Sequence, residues 1–183
     1  MKSPELIVVR SLTDSDMGLF SAHRRGATSK QRAIALTTPA AEELLHPSII
    51  KARGAEFDCI CIYGSVTNRE LRLINKSDKN WRLGGKQIAG KEFATLDSKD
   101  FALIRSVHHN DGSSPVLITF IGRQSQRIVQ AGLAATLASS LHRSVGVFPE
   151  GVEEFDSLAE LFPTVPARVA LQRSAQPQQQ AFL

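Results

Sequence analysis

The sequence predicts a mainly β fold with flanking helices, of the α+β class. Short segments rich in β-branched and aromatic residues fill the first two-thirds of the chain, and sustained helical periodicity begins only after Arg123. The chain has 183 residues, of which 42% are hydrophobic and 22% are charged. These values are typical of a globular protein that is long enough to bury a full core.

Six segments have the composition of strands, and four of them form two predicted hairpins. Residues 55–65 are apolar on both faces, which predicts a central strand, and residues 69–76 alternate as its hairpin partner. The Asp111-Gly112 turn predicts a second hairpin, because this dipeptide suits a tight connection. The predicted strands are 5–12, 32–38, 55–65, 69–76, 99–109 and 115–123.

Three segments predict helices. Residues 38–48 form a short helix, with Thr38 as its N-cap and Pro47 as its stop. Residues 123–143 have a helical period, and residues 150–162 form an acidic amphipathic segment. The apolar stripe of the longer helix consists of Ile128, Val129, Leu133, Leu137 and Leu141.

These patterns divide the chain into three parts. Residues 1–123 form a β-rich body, and residues 124–170 form a helical C-terminal extension. Residues 171–183 are rich in glutamine, and we expect them to form a disordered tail. The extension carries few cations on its exposed positions, so we expect it to pack against the body or against a partner.

Positive charge is concentrated in two predicted loops of the body. The formal net charge is +4, and the first 123 residues hold 18 of the 22 lysine and arginine residues. Residues 21–32 carry four cations and no acid. Residues 75–86 place the only tryptophan, Trp81, beside Arg82 and ahead of a Gly-Gly pair. An indole and a guanidinium side by side in a solvent-facing loop indicate that something planar or anionic docks there.

The residue types in these loops are those that bind nucleic acid. Basic and small polar side chains hold phosphates, arginine and asparagine also read base edges, and glycine lets the backbone approach closely. The phosphate-holding candidates are Arg24, Arg25, Lys30, Lys76, Lys79 and Lys86; the base-reading candidates are Arg32, Asn80 and Arg82. His23 and Ser29 are further polar candidates, and Trp81 is expected to pack on the sugar-phosphate wall. The alternative is that both are ordinary solvated loops and that Trp81 is tucked against the body.

A metal-dependent nuclease is the alternative that includes catalysis. Such enzymes need two or more acids and a lysine on neighbouring strands to hold a hydrated cation. Asp58 lies on the central predicted strand and Glu70 opens the next one, but Arg72 stands where the lysine is needed. No third ligand follows His108 and His109 at a suitable distance, so we expect these two to be a solvated pair beside a turn.

The sequence carries no motif for a disulfide, for a bound cofactor or for a catalytic nucleophile. Cys59 and Cys61 share one face of a strand, where their spacing is poor for a disulfide, and they predict two buried thiols in a reducing cytoplasm. No nucleophile elbow, P-loop or dinucleotide fingerprint occurs, so we expect no cofactor, no metal site and no catalytic residue. No run approaches the roughly 18 apolar residues that span a bilayer, and we expect a cytoplasmic protein that does not contact membranes.

Three short segments carry a resemblance to a known family. They are VRSLTDSDMG at 9–18, EELLHPSI at 42–49 and KNWRLGG at 79–85. In this order they resemble a first strand with the start of an arm, a helix with its exit, and a second arm of the amino-terminal effector DNA-binding domain of EcoRII-type restriction endonucleases. That domain is a pseudobarrel related to the plant B-three transcription-factor domain, and the resemblance covers about residues 6–122.

The resemblance implies a DNA-binding β-pseudobarrel with two added C-terminal helices. In that family two arms grip the major groove from either side, so it implies that residues 21–32 and 76–86 straddle double-stranded DNA. It implies a non-catalytic, sequence-preferring domain of bacterial restriction type. A third interpretation is a protein-interaction subunit whose C-terminal helices, within residues 124–162, dock a nuclease partner or a second copy of the chain. Here the first arm is longer and more basic than in the family, and the two C-terminal helices have no assigned counterpart.

Overall fold

The computed structural model describes residues 5–23, 32–45, 55–77, 80–106, 115–123, 126–139 and 144–163. Its strands are β1 (Leu6–Ser11), β2 (Ile34–Thr37), β3 (Ala55–Tyr63), β4 (Val66–Ser77), β5 (Asn80–Gly85), β6 (Phe101–Ser106), β7 (Val116–Ile121) and β8 (Val145–Pro149). Its helices are α1 (Thr38–Leu44), α2 (Arg127–Ala138) and α3 (Glu153–Ala159). Three short 3-10 turns lie at Asp16–Leu19, Ser21–His23 and Lys91–Thr95. The prediction of a mainly β fold with flanking helices is confirmed.

One eight-stranded sheet runs through the described residues in the order β2-β5-β4-β3-β7-β6-β1-β8. β3 is central, between its antiparallel hairpin partner β4 and the parallel strand β7. The second predicted hairpin is also present, as the antiparallel pair β6 and β7. Among the described strands β2 and β8 are edges that do not pair with each other, so the sheet is open.

Helix α1 contacts both edge strands, β2 and β8, as well as β1 and β5. A helix of seven residues is only about 10 Å long, so the sheet must curl to bring its two edges to it. Its N-cap is Thr37, one residue earlier than predicted, and the Thr37 hydroxyl accepts from the Ala40 amide at 3.4 Å. The buried alanines Ala40 and Ala41 let the helix sit close to the sheet.

The two faces of the sheet bury separate apolar clusters. The larger cluster lies on the concave side and contains alternate residues of β1 to β8 together with α1 and Phe93. On the other face, α2 and α3 cover β1, β6 and β8 through Leu133, Leu137, Phe155 and Leu158. The predicted stripe of α2 is partly wrong, because Ile128 is 90% exposed. Leu141 lies outside the described residues.

Strand β8 lies within the segment for which the sequence predicted only helices. It pairs antiparallel with β1, from Leu6 opposite Pro149 to Arg10 opposite Val145. Residues 145–149 are therefore part of the same sheet as the β-rich body. The segment 171–183 lies outside the described residues, and the prediction of a disordered tail there stays a prediction.

The two cysteines are buried on β3 and free, as the sequence predicts. Their sulfur atoms lie 3.8 Å apart, and burial raises the pKa of the Cys59 thiol. We expect neither thiol to react with Ellman's reagent at neutral pH in the native protein, because both side chains are fully buried and the reagent cannot reach them. Both should react after unfolding in guanidinium chloride. Rapid release of thionitrobenzoate by the native protein would contradict this burial.

Candidate nucleic-acid interface

The first arm, residues 21–32, begins against the segment just after the second arm, residues 76–86, and ends beside β5 within that second arm. At the start of the first arm, the Ser21 amide donates to the Ile88 carbonyl and the Ile88 amide donates to the Leu19 carbonyl, both at 2.9 Å. At its end, β2 pairs with β5, beginning with Ile34 opposite Leu83. The structure therefore joins the roots of the two arms near one edge of the sheet. The roots are residues 19–21 and 32–34 of the first arm and 83–88 of the second.

Gly84 is required where the end of the first arm crosses β5. A Cβ atom at this position would come within 3.3 Å of both the Ala33 Cβ and the Arg32 carbonyl oxygen. That separation is tighter than ordinary van der Waals contact, and one of the two atoms is backbone and cannot rotate away. The Gly-Gly pair thus serves the packing of one arm root on the other.

The predicted loop at 75–86 is instead a β-hairpin made of the end of β4 and the whole of β5. Asn75 lies opposite Arg82, and Ala35 of β2 lies on the other side of Arg82. Because side chains alternate along a strand, Asn75, Asn80 and Arg82 point to the same face. Asn75 and Asn80 are exposed and Arg82 is half-buried. The two base-reading candidates of this arm therefore stand together on one solvent-facing surface.

Trp81 differs from its predicted position. Its indole is only 6% exposed and packs in the main core, opposite Leu36 of β2. The ammonium of Lys76 lies 5.6 Å from the ring centroid, so the lysine stem covers the rim of the indole. The expectation that Trp81 packs on a sugar-phosphate wall does not fit this side chain as it stands. The alternative, an indole tucked against the body, is the one observed.

The remaining predicted contacts divide into three groups. His23 is half-buried, and its Nε2 lies 3.1 Å from the Phe93 carbonyl, so it anchors the start of the first arm. Arg32, Lys76 and Lys86 are exposed. The predicted contacts that lie outside the described residues are Arg24, Arg25, Ser29, Lys30 and Lys79.

Arg72 is a buried cation that holds the root of the second arm. It is 1% exposed, and its Nη1 donates to the Lys86 carbonyl at 2.7 Å and approaches the Gly84 carbonyl at 3.5 Å. Its other terminal nitrogen pairs with Glu70. In the sequence, Arg72 stands where the catalytic lysine of a nuclease is needed, and that pattern alone does not predict its burial. Arg72 lies two residues before the buried Ile74 and therefore on the same, inward face of β4, and this spacing is the sequence signal of its burial.

Asp16 is a buried carboxylate that ties the start of the first arm to two strands. It accepts from the Thr13 amide at 2.8 Å, the Thr13 hydroxyl at 2.7 Å and the Arg10 guanidinium at 3.1 Å. It also lies 3.4 Å from the Ala35 amide of β2, on the free side of that edge strand. One carboxylate thus accepts from backbone amides on both sides of the first arm, from Thr13 before it and from Ala35 after it.

The two acids of the nuclease alternative do not form a site. Glu70 lies opposite Cys59 across the β3–β4 ladder, so Asp58, the neighbour of Cys59, points to the other face of the sheet. Asp58 pairs with Arg69, and the bond raises the pKa of that guanidinium; Glu70 pairs with Arg72. Within the described ranges, no three His, Cys, Asp or Glu side chains are grouped so as to hold a metal ion. His108 and His109 lie outside those ranges.

Comparison with known proteins found a likeness among solved structures only. No protein-family model matches the chain, and no curated protein matches it. The B3 domain of the UbaLAI restriction endonuclease, solved with cognate DNA, is similar over 80% of this chain and 87% of that chain. The identity is 15% and the TM-score is 0.49. The likeness assigns no role to any residue of this chain. No helix in the described part of the chain is long and apolar enough to cross a membrane.

Proposed function

We propose that this protein binds double-stranded DNA through the two arms, prefers particular base sequences, and does not itself catalyse a reaction. The observation that carries the proposal is the joined root of the arms. The hydrogen bonds of Ile88 and the β2–β5 pairing hold the described ends of the first arm against residues 80–88. Two basic segments that leave a rigid body side by side can grip a duplex from two directions.

The roles of the arm residues follow from where they lie. Arg82 and Asn80 share one exposed polar face with Asn75, and arginine and asparagine are the side chains that pair with guanine and adenine edges. Arg32 and Lys86 are exposed cations at the roots, Lys76 is an exposed cation near the turn of the hairpin, and all three hold phosphates, with Arg32 able to read a base as well. Trp81 supports the hairpin from inside the core instead of contacting DNA. Arg24, Arg25, Ser29, Lys30 and Lys79 would extend this set along the arms.

We propose further that the body is a pseudobarrel of the restriction-endonuclease effector type. The curl of the open sheet around α1, which contacts both edges, supports the pseudobarrel. This assignment makes the protein a bacterial, cytoplasmic component of restriction-modification. It would act with a nuclease or a second copy bound through residues 124–162. Light scattering of the full chain, alone and with DNA, would measure whether a second copy is present.

Selection from random duplexes is the experiment that tests the proposed function. Sequencing the retained pool should yield one short motif, and binding to that motif should weaken steeply with salt, by about 0.9 in the logarithmic slope for each phosphate contacted. Retention of single strands in preference to duplex, or no enrichment at all, would overturn the proposal. Cleavage of plasmid in magnesium, abolished by Asp58→Asn, would restore the nuclease alternative.

Substitution of Arg82 by alanine is expected to weaken binding to the selected motif by about 1–3 kcal/mol and to relax preference at one base position. The reason is that a fixed guanidinium makes two directed hydrogen bonds to a single base. Fluorescence anisotropy with the selected duplex and its single-position variants measures both effects. Lys91→Ala removes one exposed cation from a 3-10 turn outside the arms and is the matched control. Equal losses in the two variants would mean that Arg82 contributes only charge.

A further inference from the structure

A cleft of about 630 Å³ lies between α2 and the ends of three strands, outside the proposed DNA interface. Its lining includes Ser11 at the end of β1, Phe101 at the start of β6 and Arg123 just after β7. β7 runs parallel to β3, and β3 ends at the turn into β4, whereas the second arm turns at the other end of β4. The cleft and the tip of the second arm are therefore at opposite ends of the sheet.

Three cations line this cleft, and its lining contains no acid. Lys99 and Arg127 are exposed, and within the described part of the chain neither forms an ion pair. The Arg123 side chain is 50% exposed, and its Nη2 donates to the Ser98 carbonyl at 2.6 Å, which fixes its direction. Two cations without an ion-pair partner among the described residues, and a third beside the buried Asp100, give the cleft a positive lining, which favours an anionic ligand.

The acid closest to these cations is already occupied. Asp100 is 1% exposed and accepts from the Asp97 amide at 2.8 Å, the Arg123 amide at 3.1 Å and the Gln130 side chain at 2.9 Å. Its carboxylate lies below the cleft and is saturated by these donors, with Arg123 Nε at 3.5 Å as a weaker contact. Asp97 is exposed but does not line the cleft.

The segment that carries Lys99 is held rigidly. The Lys99 amide donates to the Leu12 carbonyl and the Leu12 amide donates to the Asp100 carbonyl, each at 2.7 Å. These bonds fix the backbone from which the Lys99 side chain reaches the cleft, so a ligand would need to order only that side chain.

The rest of the cleft is apolar and has room beside the helix. Ala131, Ala134 and Leu137 follow one side of α2 toward its C-terminal end, and Phe101 lies on the opposite wall. The two alanines are exposed on α2, and their small side chains leave the space that larger residues would fill. A ligand that fits has an anionic group at one end and a flat or apolar group at the other.

We propose that this cleft binds a phosphate-bearing small molecule of the nucleotide class. Lys99, Arg123 and Arg127 hold the phosphate, and the base or another apolar group lies along Ala131 and Ala134. The volume of the cleft lies within the range of small-molecule sites. This inference does not depend on the arms and goes beyond the proposed DNA binding.

Titration of the full-length protein with adenosine monophosphate, followed by amide NMR spectra, tests the proposal. Saturable shifts are expected at the amides of Lys99, Arg123 and Gln130. Lys99→Ala and Arg127→Ala should each weaken binding on the order of tenfold, because each removes one charge-assisted contact. Lys91→Ala removes one exposed cation elsewhere and should leave the affinity unchanged. The spectra themselves report whether each variant is folded.

Two further measurements distinguish the phosphate-binding part of the cleft from its apolar wall. Inorganic phosphate should shift the same amides but bind more weakly than the nucleotide, and Ala134→Leu should remove that difference by filling the apolar wall. No saturable shift with millimolar nucleotide, or equal affinity for nucleotide and phosphate, would overturn the proposal. Displacement of the nucleotide by a short duplex that itself shifts these amides would also overturn it, since the cleft would then belong to the DNA interface.

Discussion

Arg72→Ala is expected to lower the free energy of unfolding by about 3–5 kcal/mol, because it removes one partner of a buried ion pair. The Glu70 carboxylate loses its counter-charge, and the carbonyls of Gly84 and Lys86 lose their donor inside the protein. The substitution also leaves a cavity in place of one of the largest fully buried side chains in the protein. Urea unfolding followed by circular dichroism measures the loss.

Two matched variants identify what Arg72 contributes. Arg69→Ala removes an arginine from the same strand whose side chain is 21% exposed and paired with Asp58, and it should cost no more than about 1 kcal/mol. Arg72→Met keeps the volume without the donors, so it should recover the part of the loss that is due to the cavity. If Arg72→Ala and Arg69→Ala cost the same, the buried guanidinium does not hold the arm root.

Asp100→Ala is the second change with a large expected effect, again a loss of about 3–5 kcal/mol in the free energy of unfolding. The Asp100 carboxylate gathers donors from the preceding turn, from the residue after β7 and from Gln130 of α2. Without it, the donors of Arg123 and Gln130 lose their acceptor at the junction of the sheet and the helix. Gln130 keeps one bond, to the Ile121 carbonyl at 2.7 Å, and α2 should loosen from the sheet.

Asp97→Ala is the control for Asp100. Asp97 lies three residues earlier and is exposed, and its carboxylate accepts from the adjacent Ser98 amide at 2.7 Å. Asp97→Ala should lower the free energy of unfolding by well under half of the amount expected for Asp100→Ala. Hydrogen exchange adds a local readout, because the amides of α2 should exchange faster in Asp100→Ala. Unchanged protection of α2 would contradict its attachment through this carboxylate.

The sequence is sufficient to predict six strands of the body and the short helix. β3 and β4 show clear alternation, and α1 carries a threonine cap, a proline and a following stop, all of which are local signals. The segment from Asn80 to Gly85 carried a period-two signal as well, with Trp81 and Leu83 on one face and Asn80 and Arg82 on the other. Its charge and its glycines concealed that signal, and it was interpreted as a loop.

The buried polar groups could not have been predicted from local patterns. Asp100 and Asp16 are buried because donors from distant segments converge on them, and nothing in their own sequence neighbourhoods shows those donors. β8 was missed for a similar reason. Its five residues lie between two helices, and its partner, β1, is at the other end of the chain.

The pairing of β8 with β1 has a consequence for how the protein is made. A growing chain emerges from the ribosome N-terminus first. One edge of β1 therefore stays unpaired until residues 145–149, which form β8, have been synthesised. Until then Ile7 and Val9, both fully buried in the finished protein, lack the edge strand, and the cover of α3 is synthesised later still. A nascent or truncated chain that ends near residue 123 would expose an apolar strand edge, which is a template for aggregation. Expression of the protein in pieces should therefore keep residues 6–11 and 145–149 together.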